Sequence, residues 1–301
     1  MKVNHVSQES NAMKGILYCI VAYFSHSFVG LCGQEFSHPQ HLPVILFFQS
    51  IVCALLSFSH VKKCGFKPNA NTSVNLYVWR IILGLVCYLQ FFYLLSHISI
   101  AESLVFQYTG GLWVPLISLL WFGLAISPLV FFIIFVGFVG VFLQMQFNGN
   151  MSPWLFFNGV SCGLLQGITL VQIRKLTLTE PSSRIIFYFF TLTSIVMFPF
   201  AFPQLSSLHL GDFLLLLAIG LLTYVGQVLI TQALKYAHAV TLAPLAYLSI
   251  FFGGLFDWFV FQKIPSERQL LGIVLIVVAG LMIIYIKTKR DKGNVLNVQP
   301  S

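Results

Sequence analysis

Ionisable side chains are scarce within the apolar segments of this chain, so each one is a candidate for chemistry. Asp257 lies in the segment GLFDW, Glu102 opens another apolar segment, and His26 lies near the middle of a third. A carboxylate can attract a cation or a proton, and an imidazole can donate, accept or titrate near neutral pH. A charge centred in an apolar layer costs about 2.5–3.5 kcal/mol on insertion scales, which makes such groups functional candidates. An interfacial carboxylate and a packing histidine are the alternative interpretations.

Neutral polar residues add to this set. Tyr108 and Tyr247 lie close to Gly110 and Pro244, which loosen a helix. Opened backbone inside an apolar layer is tolerated where it lines a cavity, although core packing remains an alternative for both tyrosines. We expect five residues to line a central substrate-binding cavity: His26, Gln107, Tyr108, Tyr247 and Ser249. Asp257 and Glu102 are the predicted charge or coupling residues.

Sequence motifs of enzymes are missing from the chain. It contains no G-x-S-x-G, no P-loop, no H-E-x-x-H and no paired set of Cys and His. We therefore predict no catalytic residue, no bound metal and no cofactor. A membrane-embedded enzyme or a scaffold is the alternative class, and an enzyme of this kind would need nucleophile, base or metal ligands clustered at one depth.

Ten apolar segments must position these residues. Hydrophobic residues make up 58% of the chain and charged residues 8%, whereas a soluble domain carries about 25% charged residues. Each segment is long enough to cross a hydrocarbon layer of about 30 Å. The predicted spans are Gly15 to Gly33, Leu42 to Phe58, Leu76 to Leu95, Ser99 to Phe122, Pro128 to Met145, Pro153 to Ile173, Arg184 to Phe202, Phe213 to Leu234, Ala239 to Phe261 and Leu270 to Ile286.

Basic residues are distributed asymmetrically around these spans. With both termini in the cytoplasm, fourteen of the sixteen Lys and Arg residues, Arg80 among them, fall on the inner side, and only Lys263 and Arg268 lie outside. Such a bias orients membrane proteins, so we predict a multi-pass protein of an inner or plasma membrane. The net charge of +8 is spread over several inner segments, which favours contact with lipid headgroups and excludes a nucleic-acid partner.

The two halves of the chain resemble each other. Leu95 and Tyr108 align with Leu234 and Tyr247 at a constant offset of 139 residues, and the spans that follow keep this offset. An odd number of spans per repeat makes the second copy enter the membrane from the other side, a plan that recurs in secondary transporters. We predict an N-terminal segment (1–12), two inverted five-helix repeats (13–148 and 149–287) and a cytoplasmic tail (288–301). The fold class is therefore all-α, with ten transmembrane helices.

Several local sequences resemble a known family. Ile100-Ala101-Glu102-Ser103 lies between the third and fourth spans, and Ala243-Pro244-x-x-Tyr247-Leu248 lies in the ninth. With the ten-span plan, they resemble the EamA type of the drug/metabolite transporter superfamily over nearly the whole chain. The resemblance implies transport of small metabolites such as amino acids, nucleosides or S-adenosylmethionine. Ser249 stands where many members have a glutamate, so the resemblance implies no particular substrate.

Charge suggests the class of substrate. The outer side carries five acidic residues against Lys263 and Arg268, and no Lys or Arg is expected in the middle of a span. This pattern disfavours an anion and favours a cationic or zwitterionic metabolite, such as an amino acid or an S-adenosylmethionine-like molecule. Alternating access would use a coupled proton or an exchanged solute, and we expect a monomer or homodimer.

Overall fold

The computed structural model describes residues 2–36, 41–69, 72–122, 128–144, 152–236, 242–264 and 266–296. These residues contain eleven α-helices and no β-strand. The helices are α1 Lys2–Phe36, α2 Leu42–Cys64, α3 Val74–Leu95, α4 Ile100–Tyr108, α5 Gly110–Phe122, α6 Pro128–Gln144, α7 Pro153–Leu176, α8 Ser182–Ala201, α9 Leu210–Tyr236, α10 Tyr247–Phe259 and α11 Glu267–Leu296. Two 3₁₀ turns, Phe202–Ser207 and Ala243–Ala246, precede α9 and α10.

The helices correspond to the ten predicted spans, because α4 and α5 together form the fourth. Seven of the described segments are long and apolar enough to cross a membrane, and Pro128–Gly140 and Leu248–Phe259 are shorter apolar helices. The tenth predicted span lies within the 30 residues of α11. A helix satisfies its own backbone hydrogen bonds, which apolar surroundings require. The prediction of an all-α membrane protein is confirmed.

The contacts between helices follow a two-fold pattern. The largest interfaces join α1 to α9, α2 to α8, α6 to α11 and α3 to α7, and a smaller one joins α4 to α10. When spans six to ten are taken as a second copy of spans one to five, α1 corresponds to α7 and α9 to α3. The α1–α9 and α7–α3 contacts are then the same contact made twice, as inverted repeats require. The predicted repeat boundaries, 13–148 and 149–287, stay a prediction.

The fourth and ninth spans are interrupted, as Gly110 and Pro244 suggested. Thr109 separates α4 from α5, and its Oγ1 donates to the carbonyl oxygen of Phe106 at 2.7 Å. In the ninth span the 3₁₀ turn Ala243–Ala246 leads into α10. The offset of 139 residues places Thr109 opposite Leu248, so the interruptions lie in equivalent spans but not at the same residue. Both provide irregular backbone within the bundle.

Glycines on α7 bring this helix close to the interruption in the fourth span. The four-residue spacing of Gly159, Gly163 and Gly167 predicts close approach of another helix. A Cβ on Gly163 would overlap Thr109 Oγ1 and lie 2.6 Å from the carbonyl oxygen of Phe106. A Cβ on Gly167 would lie 2.9 Å from the carbonyl oxygen of Gly110. The stripe therefore allows α7 to pack directly on α4 and α5.

The two ends of the bundle differ in charge. We call the basic end the end at which α2, α7 and α9 finish with Lys62, Lys63, Arg174, Lys175 and Lys235 in their last turns. The opposite end is the one at which α4 begins and α10 finishes. The predicted outer segment between α1 and α2 includes residues 37–40, which lie outside the described residues.

Candidate functional site

A cavity of about 40 Å³ lies where the two repeats meet. The helices α1 and α3 of the first repeat and α7 and α9 of the second contribute most of its lining. Its polar groups come from Tyr23, His26, Arg80, Tyr88, Gln166 and Gln227, among others. A space of this size holds a few water molecules. The lining residues of α7 and α9, Gln166 and Gln227 among them, lie in the halves of these helices nearest the basic end.

Arg80 corrects the expectation that no basic residue is buried within a span. The charge pattern places it on the inner side of the membrane, but only 4% of its surface is exposed, and it lines the cavity. The guanidinium carbon lies 4.1 Å from the centre of the Phe189 ring, and Gly84 leaves the space that the group occupies. Arg80 is about 9 Å along α3 from Val74, where a side chain could extend to the interface. The position of Arg80 in the sequence gives its depth along the helix, but not the direction in which its side chain points.

Arg80 has no hydrogen-bond acceptor among the residues that the structure describes. Its Nε is buried without a partner, and the one ion pair among the described residues joins Arg184 to Glu180. Buried cations are normally paired, because the desolvation of an unpaired charge is costly. The guanidinium therefore has free hydrogen-bonding capacity at the cavity wall.

His26 and Tyr108 are brought together, as the predicted cavity requires. His26 Nδ1 and the Tyr108 hydroxyl oxygen are 3.2 Å apart, and the His26 ring packs against Gly226 of α9. His26 and Gln107 line the cavity. Tyr108 is 1% exposed and lies one layer behind the lining, with its ring 5.2 Å from that of Tyr23. Whether these residues bind a substrate stays a prediction.

One further predicted cavity residue, Ser249, is not part of the lining. Ser249 is fully buried, and its Oγ donates to the carbonyl oxygen of Tyr23 at 2.9 Å. The Ser27 hydroxyl in turn donates to the carbonyl oxygen of Ser249 at 3.1 Å, so the two serines fasten α10 to α1 away from the cavity. The side chain of Tyr247 lies outside the described residues, so its place in the cavity lining stays a prediction.

Asp257 occupies the start of α4. Its Oδ1 accepts from the backbone N–H of Ile100 at 3.1 Å, and its Oδ2 accepts from that of Ala101 at 2.7 Å. The residue is 3% exposed, and a carboxylate at a helix N-terminus also interacts favourably with the helix dipole. This geometry gives Asp257 a role in joining α10 to α4. A free negative charge at an entrance, as the sequence suggested, would need these bonds to open.

Glu102 is also hydrogen-bonded. It forms a capping box with Ser99, and its Oε1 accepts from Gln269 Nε2 at 2.9 Å. Ser266 and Gln269 make the matching hydrogen bonds at the start of α11. The sequence signal S-x-x-[E/Q] before an apolar segment was readable in both places and indicates helix caps. At the opposite end of the bundle, these hydrogen bonds join α4 to both α10 and α11.

The chemistry of this site is binding chemistry. The cavity offers amide, hydroxyl, imidazole and guanidinium groups, which can hold a polar solute by hydrogen bonds. No group of three His, Cys, Asp or Glu side chains is placed to hold a metal ion within the described ranges.

Comparisons with known proteins agree with this architecture. The model of the EamA-like transporter family matches residues 13–146 and 154–285. The chain is 26% identical over 267 residues to a pseudopaline exporter of Pseudomonas aeruginosa, which covers 88% of this chain and 94% of that protein. It is 22% identical over 256 residues to a riboflavin transporter of Brucella anthropi, covering 83% and 89% respectively.

Two further similarities are more limited, because the first covers about half of the chain and the second concerns the fold. An S-adenosylmethionine uptake transporter of Rickettsia bellii is 27% identical over 159 residues, which is 51% of this chain and 53% of that protein. A solved crystal structure shares 15% sequence identity with a TM-score of 0.66, covers 94% of this chain and 98% of its own, and so supports the fold alone. With both halves matched by the family model, the chain belongs to the EamA-like transporter family, within the drug/metabolite transporter superfamily.

Proposed function

We propose that this protein is a secondary transporter that moves a small zwitterionic metabolite across an inner or plasma membrane by alternating access. The observation that carries the proposal is the polar cavity between the repeats, enclosed by α1, α3, α7 and α9. Substrate sites of transporters with inverted repeats lie at this interface near the midplane. Transport of S-adenosylmethionine and riboflavin by relatives supports a small metabolite without selecting one.

The structure changes the preference between cationic and zwitterionic substrates. The case against a negatively charged group on the substrate depended on the absence of a buried basic residue, and Arg80 removes that premise. The two described carboxylates of the fourth and ninth spans, Glu102 and Asp257, are hydrogen-bonded at the opposite end. A zwitterion, which carries both signs of charge, fits the cavity better than a simple cation.

Alternating access is supported by the position of the cavity at the interface of two inverted repeats, because such repeats rock against each other around a fixed site. The contacts of Asp257 and Glu102 would close the opposite end while the basic end opens, and would break in the other half of the cycle. Because the sequence has no P-loop, a gradient of the substrate, a proton or an exchanged solute would supply the energy.

Orientation follows from the basic end. We propose that this end, with both termini, faces the cytoplasm, because an excess of Lys and Arg marks the inner side of membrane proteins. Reporter fusions at Lys67, at Thr177 and after Leu296 should report a cytoplasmic position, whereas a fusion at Gln204 should report the outside. An external C-terminus would overturn this orientation.

Counterflow in proteoliposomes tests the function directly. Vesicles loaded with one unlabelled compound are exposed to the labelled form of the same compound, over a panel of amino acids, S-adenosylmethionine and riboflavin. We expect transient accumulation of at least one amino acid or S-adenosylmethionine, and none in vesicles without protein. Exchange of riboflavin alone would refute the zwitterionic class, and no exchange of any compound would refute transport of these metabolites.

A further inference from the structure

We infer that Arg80 binds the carboxylate of the transported metabolite; this inference rests on the proposed function and names the chemistry of its site. Arg80 is buried, lines the cavity and has no hydrogen-bond acceptor among the described residues. An arginine presents five N–H donors in a fixed planar fork, which matches the two oxygens of a carboxylate. The acceptor that the described residues do not supply is the one that a substrate would bring.

The surroundings of Arg80 hold the guanidinium in place without neutralising it. The Phe189 ring covers one face at 4.1 Å, which stabilises the charge and leaves the N–H edges free. Gly84, one turn further along α3, has no side chain, and a Cβ there would overlap Arg80 Nη1 and lie 2.6 Å from Phe189 Cε2. The Phe189 ring and the space that Gly84 leaves beside it set the position of the group at the cavity.

The other cavity groups limit the class of anion. Gln166, Gln227 and Tyr88 are neutral, and Gln227 Nε2 already donates to the Tyr88 hydroxyl oxygen at 2.7 Å. One arginine among the described lining residues balances one negative charge, which suits a carboxylate better than a phosphate dianion. The ammonium group of an amino acid could lie against glutamine carbonyl oxygens or the faces of Tyr23 and Tyr88.

Binding measurements on the purified full-length protein test this assignment. The probes are the common amino acids and S-adenosylmethionine, each paired with its carboxamide, and inorganic phosphate. We expect wild type to bind at least one acid about 10- to 100-fold more tightly than its amide, as for loss of one charge-assisted hydrogen-bonded pair. Arg80→Met should remove this preference, whereas Arg80→Lys should keep part of it.

Glycine variants test position without removing the charge. Gly84→Ala should displace the guanidinium and weaken binding of the acid, but not of the amide. Gly254→Ala is the matched control, because a Cβ there would meet no heavy atom within 4 Å. Wild-type binding of the acid by Gly84→Ala, or equal weakening by Gly254→Ala, would count against the inference.

Stability in the absence of substrate gives an independent measurement. A group retained for binding and lacking a structural partner should not be needed for folding, so Arg80→Met should keep or raise the melting temperature. A lower melting temperature, matched by Phe189→Leu, would mean that Arg80 serves packing and would overturn the inference. Exchange by wild type with no preference for acid over amide would overturn the carboxylate assignment and leave the transport function standing. If phosphate were the only probe that raises the melting temperature, the ligand of Arg80 would be a phosphate and not a carboxylate.

Discussion

Arg80 and Arg184 are buried equally, each with 4% of its surface exposed, but their surroundings differ. Arg184 donates from Nη1 to Glu180 Oε2 at 2.5 Å and from Nε and Nη2 to the carbonyl oxygens of Gly65 and Cys64 at 2.9–3.1 Å. Arg80 has the face of Phe189 and no acceptor among the described residues. One arginine has its hydrogen-bonding capacity used by the protein, and the other keeps it free.

The positions of the two arginines explain this difference. Arg184 joins the end of α2 to the start of α8, and Glu180 Oε1 also accepts from the backbone N–H of Asn69, so two loops are held together at the basic end. Arg80 lies at the cavity where the repeats meet. The contrast indicates that burial alone does not identify a functional charge, whereas burial without a partner does point to one.

The largest expected effect is at Arg184. Arg184→Gln would leave Glu180 buried and unpaired, so we expect a loss of about 3–5 kcal/mol in stability. Thermal unfolding of purified protein in detergent would measure it as a lower melting temperature. Lys63→Gln, which removes an exposed charge at the same end, is the control and should change little. If Arg80→Met destabilises as much as Arg184→Gln, the distinction between the two arginines fails.

The second effect concerns the close contact between α7 and the interruption in the fourth span. Gly163→Leu would force α7 away from Thr109 and Phe106, at a cost of about 1–3 kcal/mol or more. Leu164→Phe, on a half-buried neighbour, should impair stability and uptake less. Expression, melting temperature and uptake of both variants would measure this. Equal behaviour of the two variants would mean that close contact between α7 and the interruption is not needed for stability or uptake.

The third prediction separates two interpretations of Asp257. As a link to α4, its replacement by Ala should lower stability by about 1–3 kcal/mol and reduce transport of all substrates alike. Asp257→Asn, which keeps the size and one acceptor oxygen, should have a smaller effect. The substrate concentrations that give a half-maximal transport rate, measured for a cationic and a neutral substrate, would distinguish the two interpretations. A selective loss of cation transport in Asp257→Asn would support the interpretation that Asp257 is a free negative charge at the entrance, as the sequence suggested.

The smallest expected effect is at His26. His26→Ala loses the contact with the Tyr108 hydroxyl, and one such hydrogen bond corresponds to about a fivefold change in transport rate. If the imidazole carries a proton, the variant should also lose the dependence of the rate on pH between about 5.5 and 8. Tyr108→Phe removes the same contact but leaves the imidazole, so it should lower the rate and keep the pH profile. Wild-type rates for His26→Ala across this range would leave Arg80 as the working ionisable group.

Sequence reasoning was successful where composition and spacing carry the information. Twenty-residue apolar segments without water to bond their backbone must be helical, so the ten spans could be counted. The local effects of Gly110 and Pro244 predicted the interrupted spans, and the offset between the halves predicted their inverted arrangement. The capping boxes at Ser99 and Ser266 are equally readable in the sequence, and they indicate a capping role for Glu102 in place of the predicted charge role.

By itself, the sequence determined the number of spans, the family and the presence of His26 near the middle of the first span. Only the tertiary structure decided which way side chains point: Arg80 into the cavity, Asp257 onto the start of α4, and Ser249 onto α1. The physical reason is that lipid tails are as apolar as the protein interior, so a helix in a membrane carries little difference between its lipid-facing and buried sides. Position along such a helix can be counted from the sequence, but its rotation is set by contacts with neighbouring helices, which are distant in the chain.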